Sequence, residues 1–321
     1  MIPHKHADPN AILEGLPAEV RQRFRQWSRA TDRDPEVRRS NFHTQLKVLG
    51  IHLVFLTVLA VYLATAGYWL VALAGVVVLG PVLAVSRLYQ HVQTHWKFGN
   101  GPVRNWLLDH CISLLFGVPQ TGYKHAHLAH HRYDNDFDAR GFPKDLQSTY
   151  IFSRNGRTTN IWLWCAWFTI VYQHAIYLFH VLNAPGRREL LWYAFEYALI
   201  AGLHVGLYHV SAGFYLGVYL PAVGLAWLVA GLGNYMMHAV DLDKFRLHPT
   251  LNSHSRLFNW LGNNDGYHIE HSLYPNLHAA FLDRASALLG PPREQVLEGT
   301  YVTEALRYIF LGQRPQPASR Q

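Results

Sequence analysis

Four apolar runs constrain this chain more than any other feature, because they direct it into a bilayer. Residues 48–66 and 68–85 are separated by Gly67 alone, and residues 190–208 and 214–233 by the short connection 209–213. Each run approaches the ~20 residues that an α-helix needs to cross ~30 Å of hydrocarbon, so each pair reads as a helical hairpin. Apart from His52, the first two runs carry no acidic or basic side chain. Glu196 lies inside the third and is expected to face protein or a polar cavity rather than lipid.

Half of the 321 residues are hydrophobic and only 15% are charged, yet the mean hydropathy of -0.02 requires a sizeable aqueous portion too. Only Cys111 and Cys165 are present, which excludes a disulfide framework and a cysteine-rich metal site. Any metal must use His, Asp or Glu, and there are 21 His. The net charge of +7 is not read as nucleic-acid binding. The basic residues sit mainly outside the apolar runs, where orientation and anionic lipid account for them. Residues 1–39 are polar and charged, so no cleavable signal peptide is expected.

The histidines cluster. His91 and His95 follow the second run at i, i+4, on one helical face. Next, Lys124-His125-Ala-His127-Leu-Ala-His130-His131-Arg132 sets residues 127, 130 and 131 at i, i+3 and i+4. A helix has little structural reason to group rings that repel one another as they protonate; neutral imidazole on a metal supplies one. Asn234 and His238 close the last apolar run, again at i, i+4, and His268 and His271 follow within Asn264-Asp-Gly-Tyr-His-Ile-Glu-His-Ser272. Eight histidines exceed the needs of one ion, so two metals is the natural count. Ligand type alone suits Fe, Cu, Zn or Ni equally.

Arg21, Arg23, Arg25, Arg29, Arg38, Arg39 and Lys47 precede the first run, and Arg87, Lys97, Arg104, Lys124 and Arg132 follow the second. The positive-inside rule places both regions, and the histidines, in the cytoplasm. A fifth apolar run, residues 161–181, is Trp-rich and interrupted by Gln173, His174 and His180. Were it to cross fully, the histidines before and after it would lie on opposite faces and could not share a site. It is therefore read as an interfacial or re-entrant helix, as is 103–116. Leu16, Val20, Phe24 and Trp27 recur at helical spacing among basic residues, as in a helix lying on the membrane surface or an ordinary packing helix. The expected fold is an all-α integral membrane protein with four transmembrane helices in two hairpins, interfacial helices and a cytoplasmic histidine-rich metal-binding cap. Its parts are a cytoplasmic amphipathic segment 1–47, a membrane domain 48–277, and a C-terminal cap and tail 278–321, the tail 315–321 being disordered.

This pattern resembles the membrane fatty-acid desaturase and hydroxylase superfamily, with its boxes HxxxH, HxxHH and HxxHH around two membrane hairpins. The boxes align as His91/His95, His127/His130/His131 and His268/His271. Members similar to stearoyl-CoA desaturases add a ligand His near the end of the fourth span and an Asn four residues earlier that holds a metal-bound water; His238 and Asn234 stand there. The resemblance implies two Fe ions, dioxygen as co-substrate, a fatty acyl substrate and an external electron donor such as ferredoxin. One departure is Ser272 where the family usually has His. Either one metal is more open, or His254 or His278 substitutes, or the chemistry is altered or lost. His125 is an extra candidate in the second box. Asp134, Asp136, Asp138 and Glu270 could orient ligand imidazoles. The remaining histidines, His52, His110, His174, His180, His204 and His209, are read as structural or cavity residues.

Removing hydrogen from an unactivated chain is beyond side-chain acids and bases and calls for a redox metal with dioxygen. Desaturation comes first among the outcomes the resemblance implies; hydroxylation and oxidative decarboxylation of a free acid to a 1-alkene follow on the same boxes. No GxGxxG run follows a strand and no HPGG signature is present, so neither a nicotinamide site nor a fused haem donor is expected. Arg132, Arg140, Lys144, Arg154 and Arg157 could dock an acidic donor or the substrate's anionic group. A metal transporter is the rival from another class. It would place ligands within the spans, whereas these lie beyond their ends. A non-catalytic relative with an altered site is the other, motivated by Ser272.

Overall fold

A computed structural model describes residues 9–133, 137–138, 140, 142–152, 158–239 and 248–312. Asp134, Asp136, Arg154, Arg157 and the tail 315–321 lie outside the described residues. The protein is built from helices: α1 (Pro9–Glu14), α2 (Ala18–Trp27), α3 (Pro35–Ala64), α4 (Trp69–His95), α5 (Pro102–Phe116), α6 (Gln120–Tyr133), α7 (Ile161–Leu182), α8 (Arg187–Val210), α9 (Ala212–His238), α10 (Arg256–Gly262), α11 (His268–Leu273), α12 (Leu282–Leu289) and α13 (Tyr301–Leu311). Among the described residues the only sheet is a parallel pair, β1 (Asn252–Ser253) with β2 (Val296–Leu297).

Five of these helices, α3, α4, α7, α8 and α9, are long and apolar enough to cross a membrane. That is one more than the four spans expected. The addition is α7, the least apolar of the five, whose middle, Trp167–Ile176, is wound as a π-helix. These helices are consistent with an integral membrane protein, and their outward faces suit lipid: Leu49, Leu53, Leu56, Leu73 and Val77 are all exposed.

Contacts divide the chain into two compact units. One comprises Phe42–Leu128 and Trp167–Gly231 and holds most of the apolar helices. Its α3–α4 hairpin turns at Ala66 and Gly67, both with positive φ, and a Cβ on Gly67 would strike the Tyr62 hydroxyl. Gly80 lets α4 approach α9 closely: a Cβ there would lie 2.5 Å from Leu225 Cδ2. Small residues at such crossings are how apolar helices pack where lipid is as apolar as they are.

The other unit comprises Met1–Asn41, Ala129–Ala166 and Leu232–Gln321. Its core is polar in its connections. Tyr301, fully buried, donates to the carbonyls of Leu251 (2.6 Å) and Gly266 (3.0 Å). Asn259 donates to Ser253 O and accepts from Gly266 N, which ties the loop before α11 to β1. The apolar face of α2 packs on protein here, Phe24 against Tyr274 and Trp27 flat against Phe281 (5.7 Å, 7°). Of the two roles open to α2, packing is the one that occupies Phe24, which is buried.

Candidate metal centre

In the unit rich in apolar helices, three histidines meet. His91 and His95 stand one turn apart at the end of α4, and His127 projects from α6. The His91 and His127 ring centroids are 4.5 Å apart, and Nε2 of His95 lies 2.8 Å from Nε2 of His127. A buried amide clasp sets this approach: Gln90 donates to Val118 O (2.7 Å), while Gln120 donates to Gln90 O (3.0 Å) and Thr94 Oγ1 (3.2 Å). Tyr123, one turn before His127, stacks on that ring (5.1 Å, 17°). The guanidinium of Arg87, one turn before His91, sits 3.8 Å from the Tyr123 centroid and donates to the Tyr177 hydroxyl at 2.6 Å.

Five more meet in the other unit. Ligand nitrogens of His130, His238 and His268 all fall within 4.8 Å of one another, and all three side chains are buried. His131 and His271 face each other, Nε2 to Nε2, at 3.1 Å. Here hydrogen bonds from loops do the positioning. The buried carboxylate of Asp145 lies 2.7 Å from His130 Nδ1, so that nitrogen carries the proton and Nε2 keeps its lone pair. Thr149 donates to His238 O (2.9 Å), and Asn252 accepts from Ile269 N (2.8 Å), at the start of α11. Gln147 donates to Asn234 Oδ1 at 3.2 Å, one turn before His238.

Helix α6 supplies both groups, with His127 in one and His130 and His131 in the other. His127 and His131, four residues apart, share one helical face. The donor set fits a metal. Ligand bonds of ~2.1 Å meeting near a right angle put two imidazole nitrogens ~3 Å apart, the separation seen in His95–His127 and His131–His271. Neutral imidazoles without a first-layer carboxylate favour a borderline transition metal over Mg or Ca.

Among the described residues no other histidine joins these groups. His125 turns instead to Glu189 (2.8 Å). Ser272 is half-buried, and neither proposed substitute replaces it. His278 faces Asn41 through Nε2 and accepts from Ala280 N through Nδ1, and burial pushes its pKa down to about 4. His254 is exposed. His52 bonds to Val48 O, and His174 and His204 to tyrosine hydroxyls, which are structural roles.

Of the carboxylates expected to orient imidazoles, Asp134 and Asp136 lie outside the described residues, and the two described ones are engaged elsewhere. Asp138 accepts from Phe142 N and from Arg140, bonds that hold its pKa below the usual carboxylate value. Burial raises Glu270 to about 7; it accepts from Asn252 and so braces α11 rather than an imidazole. Asp145 was missed because it lies 14 residues beyond the second box, in a connection without helical periodicity. The Arg87–Tyr123–His127 stack was missed because Arg87 reads as a span-flanking charge. The i, i+4 spacing of Tyr123 and His127 was a signal for one of its contacts.

Compared with known proteins, residues 67–298 match the family model described as fatty acid desaturase. No curated protein matches the chain significantly.

Proposed function

The chain belongs to the fatty acid desaturase family, within the membrane desaturase and hydroxylase superfamily, and from that premise we propose that it oxidises a fatty acyl chain at a di-iron centre. The observation that carries this reading is the convergence of imidazole nitrogens within each unit. We assign as ligands His91, His95, His127, His130, His131, His238, His268 and His271, with Asn234 in the adjoining layer. Two irons bound there supply the redox chemistry that activates dioxygen for hydrogen removal from an unactivated carbon. The chain's own residues orient and insulate. Asp145 holds His130 in one tautomer, the Gln90–Gln120 clasp fixes α6 against α4, and Tyr123 covers a face of His127. Among the described residues no ninth histidine stands in for Ser272, so these eight imidazoles are the set that would hold the two ions. We place desaturation first, with hydroxylation or decarboxylation of a free acid as the alternatives.

Four full crossings fit this reading better than five. His130 follows α4 and His238 ends α9, yet their rings lie 4.8 Å apart, so an even number of crossings separates them. Three candidate helices, α7, α8 and α9, lie between. Both ends of α7 attach to the metal side. Thr159, just before it, accepts from Tyr235 of α9, within a turn of His238. Glu189, just after it, pairs with His125 of α6. An interfacial α7 therefore satisfies the parity, and its low hydropathy suits that depth. The basic flanks of α3 and α4 support a cytoplasmic metal face, and an acidic external donor such as ferredoxin is the electron source this reading calls for.

The test is metal analysis of detergent-purified protein from iron-supplied cells, followed by mass spectrometry of lipids incubated with it, a reductant system and oxygen. About two irons per chain, with an oxygen-dependent loss of two hydrogens from an acyl chain, support desaturation. Gain of one oxygen assigns hydroxylation, and loss of the carboxyl carbon assigns decarboxylation. Folded protein without iron or lipid product overturns the reading.

A further inference from the structure

A cavity of about 490 Å³ opens among α5, α6 and α8, within the unit rich in apolar helices, and the metal centre does not use it. Its size is that of a small-molecule site. At its floor stand buried acceptors. Glu196 is 3% exposed and accepts from Thr121 N through Oε2 (2.9 Å), and its Oε1 lies 3.8 Å from His110 Nδ1. Gln120, 2% exposed, spends its amide N–H groups on α4 and leaves its buried Oε1 without a hydrogen-bond partner. Neither ring nitrogen of His110 has a hydrogen-bond partner, although Trp106 packs edge-on against the ring at 4.5 Å. Trp106 and Trp192 meet at 6.4 Å and 65°, forming an aromatic corner beside this floor.

An amide oxygen and an imidazole lone pair ask for donors, beside a buried carboxyl group. A primary ammonium carries three N–H donors and a positive charge, which indole faces also attract. The lining contributes Lys124 and Arg188, two cations that share the one carboxylate of Glu189, whereas Lys97 pairs with Asp109 at 3.1 Å. Two cations to one carboxylate leave the same lining able to take an anionic group. Buried polar atoms left without partners are costly, so a floor of this kind selects a ligand that completes it.

We propose that this cavity binds the phosphoethanolamine head group of a phospholipid, with the ammonium on Glu196, His110 and Gln120 and the phosphate on Lys124 and Arg188. Thr121 and Lys124 lie on α6 within two turns of His127, so the head group is held beside the metal-binding helix. On the di-iron reading, on which this last step rests, the lipid so held is the acyl substrate. A quaternary choline lacks N–H donors and leaves the floor unsatisfied; a glycerol head group lacks the charge.

The test is lipid binding by the metal-free full-length protein in detergent, read by native mass spectrometry with phosphatidylethanolamine, phosphatidylcholine and phosphatidylglycerol of one chain composition, and with free phosphoethanolamine. Phosphatidylethanolamine is expected to bind about tenfold or more tighter than the other two, since a buried charge-assisted hydrogen bond commonly carries that much. Glu196→Gln and His110→Phe should each abolish this preference, and Lys124→Met should weaken phosphatidylethanolamine and phosphatidylglycerol alike. His110→Phe keeps the ring packing, so it reports even if Glu196→Gln does not fold. Competition by free phosphoethanolamine shows that the head group alone is recognised; binding of the lipid without such competition requires the membrane-anchored form, and either supports the site. Equal binding of the three lipids, no binding of any, or a preference that survives both variants overturns it. Ethanolamine-lipid binding without oxidation of any acyl chain would sink the di-iron reading alone, and oxidation without the lipid preference would sink this inference alone.

Discussion

The two histidine groups are built differently. His91, His95 and His127 ride on two helices whose approach is set by glutamine side chains and an aromatic stack. His130, His238 and His268 come from three separate stretches, and a carboxylate and a threonine from connecting segments and an asparagine of β1 hold them or the adjoining backbone. The first group is secured by helix packing and the second by particular hydrogen bonds. A helix face tolerates the loss of one neighbour because the backbone still places the ligand. A loop-held ligand loses its position with its partner.

Replacing ligands should break both groups. His127→Ala and His238→Ala are each expected to lower oxidation by more than about a hundredfold and to reduce bound iron, because an imidazole lost from the metal is worth more than an outer-layer contact. Iron content and product yield measured together check this; a variant retaining both would remove that residue from the ligand set.

Asp145→Asn should separate the groups. The amide cannot stabilise His130 as the carboxylate does, and outer-layer changes of this kind cost about 10–100-fold in metal affinity or activity. Iron titration should show one weakened and one unchanged site. Uniform loss from both would mean that the two groups do not differ as described.

Arg87→Met probes the other group. Exchanging a buried cation for an apolar side chain of similar length is often neutral for stability, but it removes the guanidinium from the Tyr123 ring beside His127. Thermal stability is expected to change by less than about 2 kcal/mol, and oxidation to fall less than tenfold, a smaller effect than Asp145→Asn. A larger loss would give the cation a direct role.

The smallest effect on oxidation is expected at His278, away from both groups, where the readout is stability against pH. His278 is neutral when folded, with a pKa of about 4 against 6.5 unfolded, so below pH 6.5 the unfolded chain binds the extra proton and stability falls as pH drops towards 4. The full shift corresponds to about 3 kcal/mol as an upper bound. His278→Asn keeps a capping side chain and should flatten the stability profile of the metal-free protein between pH 6.5 and 4; an unchanged slope would show that His278 does not titrate on unfolding.

Legibility followed the same divide. His91 with His95, and His127 with His130 and His131, were readable because one helical period relates neighbours in sequence to neighbours in space. Glu196, a charge inside an apolar run, was readable as a cavity residue because lipid would not accept it, and it lines the cavity among α5, α6 and α8. Asp145 was not, since no periodicity links it to His130. Gln147 with Asn234, and Asn252 with α11, were hidden for the same reason.

The sequence by itself determined that this protein inhabits a membrane and that its histidines gather in helical pairs and triads, since hydrophobic length and helical spacing are local properties. It also carried enough of the family pattern for its membership to be legible. Only the tertiary structure decided which carboxylate holds His130, that Arg87 turns inward onto Tyr123, that His278 caps rather than ligates, and that unpartnered acceptors line a cavity beside α6. Those are contacts between residues far apart in sequence, and they are chosen by how the helices pack.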